Sequence, residues 1–198
     1  LSSAGIEGAA IERATMAIHL APHRLNLALL QPQIAPNTGN IARLCVATGT
    51  SLHLVRPIGF VLSDRNLRRS AMDYWPRLKL IIHDDNESFF SSLRGTPIWL
   101  FTSKAVQSIW DVPFSDGDCL IFGNETRGLP ESMIAAHRSR AVRIPQAAGE
   151  RCLNLSTAAG IGVYEALRKC HIRRSKTESF PRVQAPWALL DACILSGL

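Results

Sequence analysis

Short β-rich apolar runs recur through this chain, with helix-patterned stretches set among them. The runs are LNLALL (25–30), SLHLV (51–55), LKLII (78–82), PIWLF (97–101), CLIF (119–122) and AVRI (141–144). Helix patterns fall near 38–49, 64–71, 86–94, 130–137 and 155–169. Asp64 after Ser63 is a suitable cap for the second helix, and Pro130 suits the first turn of the fourth. Runs of this length separated by helices predict an α/β fold, a mostly parallel sheet flanked by helices. Such sheets bind ligands beyond the carboxyl ends of their strands. The loops after PIWLF, CLIF and AVRI are therefore where chemistry is sought.

The chain has 198 residues, 46% apolar and 19% charged, which predicts one soluble globular domain with tails. The expected division is an N-terminal extension at 1–24, a domain at 25–170 and a basic tail at 171–198. No apolar run is long enough for a membrane helix. Residues 1–24 lack the basic start and continuous apolar stretch of a signal peptide, and Met16 is a candidate start. The five cysteines are scattered, with no Cys-x-x-Cys and no zinc spacing to histidine. Reduced thiols, a cytoplasmic setting and no metal are expected. The net charge of +6 is uneven: residues 168–182 carry six Lys/Arg against Glu178 alone. Such a tail fits an anionic partner such as nucleic acid, or simply a solvated segment.

Three loops carry candidate chemistry. In IAPNTGNIARLCVATG (34–49), Pro36, Asn37 and Gly39 make a turn before a helix, and Arg43 lies on the first turns. The exposed N–H groups of a helix start attract anions; an ordinary capped helix with a solvated arginine is the alternative. In LIFGNETRGLP (120–130), a core strand ends in a turn holding Gly123, Glu125 and Arg127. The glycines permit close backbone approach to a ligand; the charges could instead pair with each other. After AVRI, Pro145 ends the strand and a loop at 146–153 leads to Asn154 and Ser156, both able to cap a helix. Gly160 and Gly162 fall inside that helix, so they do not form a dinucleotide loop. Close helix packing, within or between subunits, explains them better.

PNTGNIARLC, FGNETRGLP, RIP and LNLSTAAGIGVYEALR, with LRRSAMDYW and DGDCLIFG between, resemble the motifs of the SPOUT-class RNA ribose 2′-O-methyltransferases. The likeness covers roughly 25–170 and is strongest to the tRNA (cytidine(34)-2′-O)-methyltransferases, the TrmL group. It implies a SPOUT fold with a deep C-terminal trefoil knot, a rare exception to unknotted chains. It also implies S-adenosylmethionine (AdoMet) as cofactor, tRNA as partner and a homodimer.

Carried over by position, the resemblance implies cofactor contacts from Phe101, Thr102, Gly123, Ile144, Cys152 and Leu153, largely through the main chain. Cys152 stands where relatives commonly have serine, and Asn124 where proline is common. Arg43 is expected to bind a phosphate and stabilise the developing alkoxide, because a guanidinium holds its proton too tightly to act as a base. Asn37, Glu125, Asn154 and Ser156 are expected to order the loops and the target ribose. Arg127 and Arg151 are expected on RNA phosphate, as are Arg65, Arg68 and Arg69, which share one helix face. The implied reaction is methyl transfer to the ribose 2′-OH of tRNA nucleotide 34. Methylation of ribosomal RNA or another tRNA position, and RNA binding without catalysis, are the alternatives.

Overall fold

The computed structural model describes residues 20–62, 72–150 and 152–177. The helix expected over 64–71, with Asp64, Arg65, Arg68 and Arg69, lies outside them, and so do Arg151 and Cys193.

Seven strands form one sheet: β1 (Asn26–Leu30), β2 (Ser51–Val55), β3 (Leu80–His83), β4 (Ile98–Phe101), β5 (Gln107–Ser108), β6 (Cys119–Phe122) and β7 (Ala141–Arg143). Their order is β3-β2-β1-β6-β4-β7-β5, and every adjacent pair is parallel. The central register sets Leu27 beside Leu52 and Leu120, and Leu29 beside Leu54 and Phe122. All six expected strands form, β3 two residues later at its start than predicted. The two-residue β5 is too short for its pattern to show in the sequence.

Helices α1 (Ala35–Thr48), α2 (Asn86–Ser92), α3 (Glu131–Ala136) and α4 (Leu155–Thr177) cover the sheet. On one face Leu27, Leu29, Leu54 and Leu120 pack against Ile41 and Cys45 of α1 and Val163 and Ala166 of α4. On the other, Ala28, Leu30, Leu100 and Ile121 pack against Phe89 of α2, with Met133 and Ile134 of α3 against that cluster. Both faces of the central strands are buried, so those strands read as continuous apolar runs rather than alternating ones, whereas Ile81 and Ile82 of the edge strand β3 stay partly exposed.

Two helix boundaries differ from expectation. Helix α1 starts at Ala35, with Pro36 inside its first turn, where a missing N–H costs nothing. Helix α4 continues to Thr177, so the expected domain boundary at 170 falls within a continuous helix. The two glycines of α4 differ in kind. A Cβ on Gly162 would stand 2.8 Å from the Phe101 ring and 3.2 Å from that of Phe122. One on Gly160 would meet nothing within 4 Å. Gly162 thus lets α4 lie directly on the aromatic ends of β4 and β6. No helix among the described residues is long and apolar enough to cross a membrane.

Candidate active site

The loops after β4, β6 and β7 meet at the carboxyl edge of the sheet, as the topology requires. They enclose a cavity of about 440 Å³ with the start of α1 and the start of α4.

The β6 loop folds on itself. Asn124 Oδ1 accepts from the main-chain N–H groups of Thr126 (3.1 Å) and Arg127 (2.7 Å). Gly128 N donates back to Asn124 O at 2.9 Å. The turn is so tight that a Cβ on Gly123 would lie 2.1 Å from the Gly128 carbonyl carbon. Glycine at 123 is thus demanded by the protein's own backbone before any ligand enters. Gly128 has φ +67°, in the left-handed region.

Glu125 does not pair with Arg127. Its carboxylate reaches the start of α1, which has no side-chain cap of its own. Gln33 N donates to Oε2 at 2.9 Å, and Ile34 N donates to Oε1 at 3.1 Å. Asn37 Nδ2 donates to the same Oε1 at 3.1 Å. The anion expected at this helix start is therefore a residue of the chain itself. From Asn37 the network runs on: Asn154 Nδ2 donates to Asn37 Oδ1 at 3.0 Å. Asn154 Oδ1 then accepts from Ser156 N (2.8 Å) and Ser156 Oγ (2.7 Å), closing the start of α4. One line of hydrogen bonds thus ties α1, the β6 loop and α4 together.

Ten of the expected site residues line the cavity: Asn37, Phe101, Thr102, Gly123, Glu125, Arg127, Ile144, Cys152, Leu153 and Asn154. Ser156 stands one hydrogen bond behind Asn154. The Phe101 ring is committed to the core, stacked on Phe122 with ring centres 4.4 Å apart. Arg43 is placed differently from expectation. Because α1 starts earlier, Arg43 lies mid-helix, and its guanidinium sits 5.1 Å from the centre of the Tyr74 ring. Arg77 approaches the same ring at 5.1 Å. Lys104 and Gln146 also line the cavity and were not singled out in the sequence. Lys104 stands in the loop after β4, one of the three to which strand topology points. Its ammonium pairs with Glu131.

Cysteine chemistry has no place in the core. Burial pushes the Cys45 and Cys119 thiols up to about 12, and no disulfide forms among the described residues.

The SpoU rRNA Methylase family matches residues 24–164, which spans the sheet and all three loops. This chain belongs to the SpoU methylase family. A tRNA (cytidine(34)-2′-O)-methyltransferase from Escherichia coli (strain K12) is 41% identical over 146 residues, covering 73% of this chain and 93% of the relative. A solved structure described as "Structural insights into the 2-OH methylation of C/U34 on tRNA" superposes with a TM-score of 0.72 at 43% identity. That match covers 75% of this SpoU-family chain and 97% of the other. The AdoMet-bound rRNA methyltransferase from Sinorhizobium meliloti is more distant, at 26% identity and a TM-score of 0.67. It matches 77% of this chain and 59% of its own length.

Proposed function

We propose that this chain is a tRNA 2′-O-methyltransferase that transfers the methyl group of AdoMet to the ribose of the wobble nucleotide, cytidine or modified uridine 34. The observation that carries the reading is the line Glu125–Asn37–Asn154–Ser156, bonded residue to residue at the wall of the cavity. The wobble-methyltransferase names of relatives above 40% identity support the substrate, and the distant AdoMet-bound structure supports the cofactor.

The cavity fits AdoMet by its donor set and size. Ile144, Leu153, Leu155 and Ala158 offer an apolar wall, and Asn37, Glu125 and Gln146 offer polar groups. About 440 Å³ lies within the usual range of small-ligand sites. Phe101, Thr102, Gly123, Ile144, Cys152 and Leu153 would hold the cofactor, Phe101 through its main chain because its ring is buried. When bound, AdoMet supplies a methyl group activated by its sulfonium.

The chain's own task is to hold a weakly nucleophilic hydroxyl in line and ease the loss of its proton. Asn154 and Ser156 position the ribose through the network. Glu125 already accepts three N–H bonds, so it organises the loops instead of acting as a free base. Arg43 binds the neighbouring phosphate and stabilises the developing alkoxide, with proton loss to water or another group. Tyr74 fixes where its guanidinium stands. Arg127 contacts phosphate at the cavity rim, and Arg65, Arg68, Arg69 and Arg151 extend the RNA surface.

The finer architecture belongs to the same proposal. The loops at 123–129 and 144–154 form a deep trefoil knot around the cofactor, a reading supported by α4 returning across β4 and β6 at Gly162. The enzyme is a cytoplasmic homodimer. The exposed Ile161 and Tyr164 and the open Gly160 of α4 support a partner on that side.

Purified chain with AdoMet and unmodified tRNA tests the activity. Nucleoside mass spectrometry is expected to find the 2′-O-methyl group at position 34. A product elsewhere in tRNA, or only in ribosomal RNA, moves the substrate. RNA binding without any product identifies a non-catalytic binder.

A further inference from the structure

Lys104 stands where two cavities meet. It lines the site cavity and also a second one, of about 320 Å³, which shares Asn124, Arg127 and Gly128 of the β6 turn with the first. We infer that the Lys104 ammonium leaves Glu131 to bind the carboxylate of AdoMet; this rests on the proposed function.

The root and the head of this side chain are held very differently. The root belongs to a tight turn just after β4. Thr102 N donates to Val142 O at 2.9 Å, and Ala105 N donates to Thr102 O at 3.4 Å. Lys104 N donates to Thr102 Oγ1 at 3.3 Å. Ala105 is buried in the core cluster beneath, so the turn is anchored. The head is paired with Glu131, which lines the second cavity and not the site cavity. The two side chains are 54% and 76% exposed. An ion pair in so much water contributes only about 0–1 kcal/mol. Both groups keep water when they part, so neither is stranded. A fixed root with a flexible stem lets the charge turn from one cavity to the other.

Charge decides what that head meets in the site cavity. The cavity is lined by two cations, Lys104 and Arg127, and by one carboxylate, Glu125. Glu125 is already occupied by three N–H donors at the start of α1. AdoMet carries two positive groups, its sulfonium and its amine, and one negative group, its carboxylate. Only the carboxylate gains from a neighbouring cation, and a charge-assisted hydrogen bond to it is stronger than a neutral one. Arg127 serves the RNA phosphate in the proposed function, which leaves Lys104 for the cofactor.

Calorimetry on the full chain tests this by comparing AdoMet with decarboxylated AdoMet, which lacks only that group. Wild-type protein is expected to bind AdoMet roughly threefold to tenfold more tightly than the decarboxylated form. Lys104→Met should erase the difference by weakening AdoMet alone. Lys104→Arg keeps the charge and should restore most of it. Glu131→Gln frees the ammonium, so AdoMet should bind at least as tightly as in wild type, and up to roughly threefold more tightly at low salt. Thermal unfolding of each variant should match wild type, because both side chains are exposed. A Lys104→Met protein that keeps the wild-type difference, or that weakens both ligands equally, overturns the inference; methylation of nucleotide 34 by wild-type protein then leaves the function standing. Weaker AdoMet binding in Glu131→Gln overturns it too. A wild-type chain that binds neither ligand and methylates no tRNA overturns both this inference and the function.

Discussion

Three N–H donors from the start of α1 converge on the Glu125 carboxylate. Removing the acceptor leaves the Asn37 amide unpaired in a part-buried place, while the exposed N–H groups of Gln33 and Ile34 turn to water. Glu125→Ala is expected to destabilise the fold by about 1–3 kcal/mol in chemical denaturation and to depress methyl transfer. Glu125→Gln should not fully rescue it, because one carboxylate oxygen becomes an NH₂ opposed to a backbone N–H. Unchanged stability in both variants would mean the carboxylate does not close α1. Tyr74 allows a second test at this scale. A cation over a half-buried ring near the surface is held by about 0.5–1 kcal/mol, so Tyr74→Leu should lower kcat roughly twofold to fivefold without changing AdoMet affinity. Tyr74→Phe keeps the ring and should retain turnover. Equal losses in both would point to the hydroxyl instead.

Among the elements, α4 and the β6 turn hold the site by close approach. Gly162→Ala pushes a methyl group into the Phe101 and Phe122 rings and should cost about 1–3 kcal/mol. Gly160→Ala meets open space in this protomer. It should raise the melting temperature, since alanine in a helix interior is favoured by about 0.5–1 kcal/mol. If sedimentation instead shows a weakened dimer, the partner packs over Gly160. The same logic governs Gly123. Gly123→Val collides with the Gly128 backbone, so it should lose cooperative thermal unfolding as well as AdoMet affinity. A variant that folds normally but fails to bind would show that the β6 turn can yield.

For the molecule as a whole, the edge of the sheet carries a pH dependence. His53 and His83 stack with ring centres 5.2 Å apart and share a hydrogen bond of 2.9 Å, with Phe89 against both. Burial, and then its neighbour His83, lowers His53 from 6.5 to about 4. Burial also lowers His83, although Asp84 pulls the other way. The unfolded chain therefore binds more protons than the native one below the ordinary histidine pKa of about 6.5. Stability from this pair is full above that value and is lost as pH falls from there toward about 4. Urea midpoints measured across this window should decline toward acid, and His83→Leu should flatten the decline. A midpoint independent of pH would show that the pair does not stay neutral in the folded state.

The strands were legible in the sequence because burial on both faces imposes continuous apolar runs, a local property of each segment. Strand topology then pointed to the three loops, and ten of the named site residues do line one cavity. Other features depended on distant contacts. The start of α1 was misplaced because its cap is Glu125, some ninety residues away along the chain. The alternative of a Glu125–Arg127 pair is not realised, because those N–H groups take the carboxylate. Arg43 moved from the mouth of the helix to its middle once the start shifted, and only the fold brought Tyr74 to its guanidinium. Gly123 could be marked as a place of close approach, but not that the approaching group is Gly128. Sequence by itself determined which segments are strands, which loops gather at the carboxyl edge and which polar residues they carry. Tertiary structure alone decided which of those residues bond to one another, because hydrogen-bond partners are chosen by distance in space and not by separation along the chain.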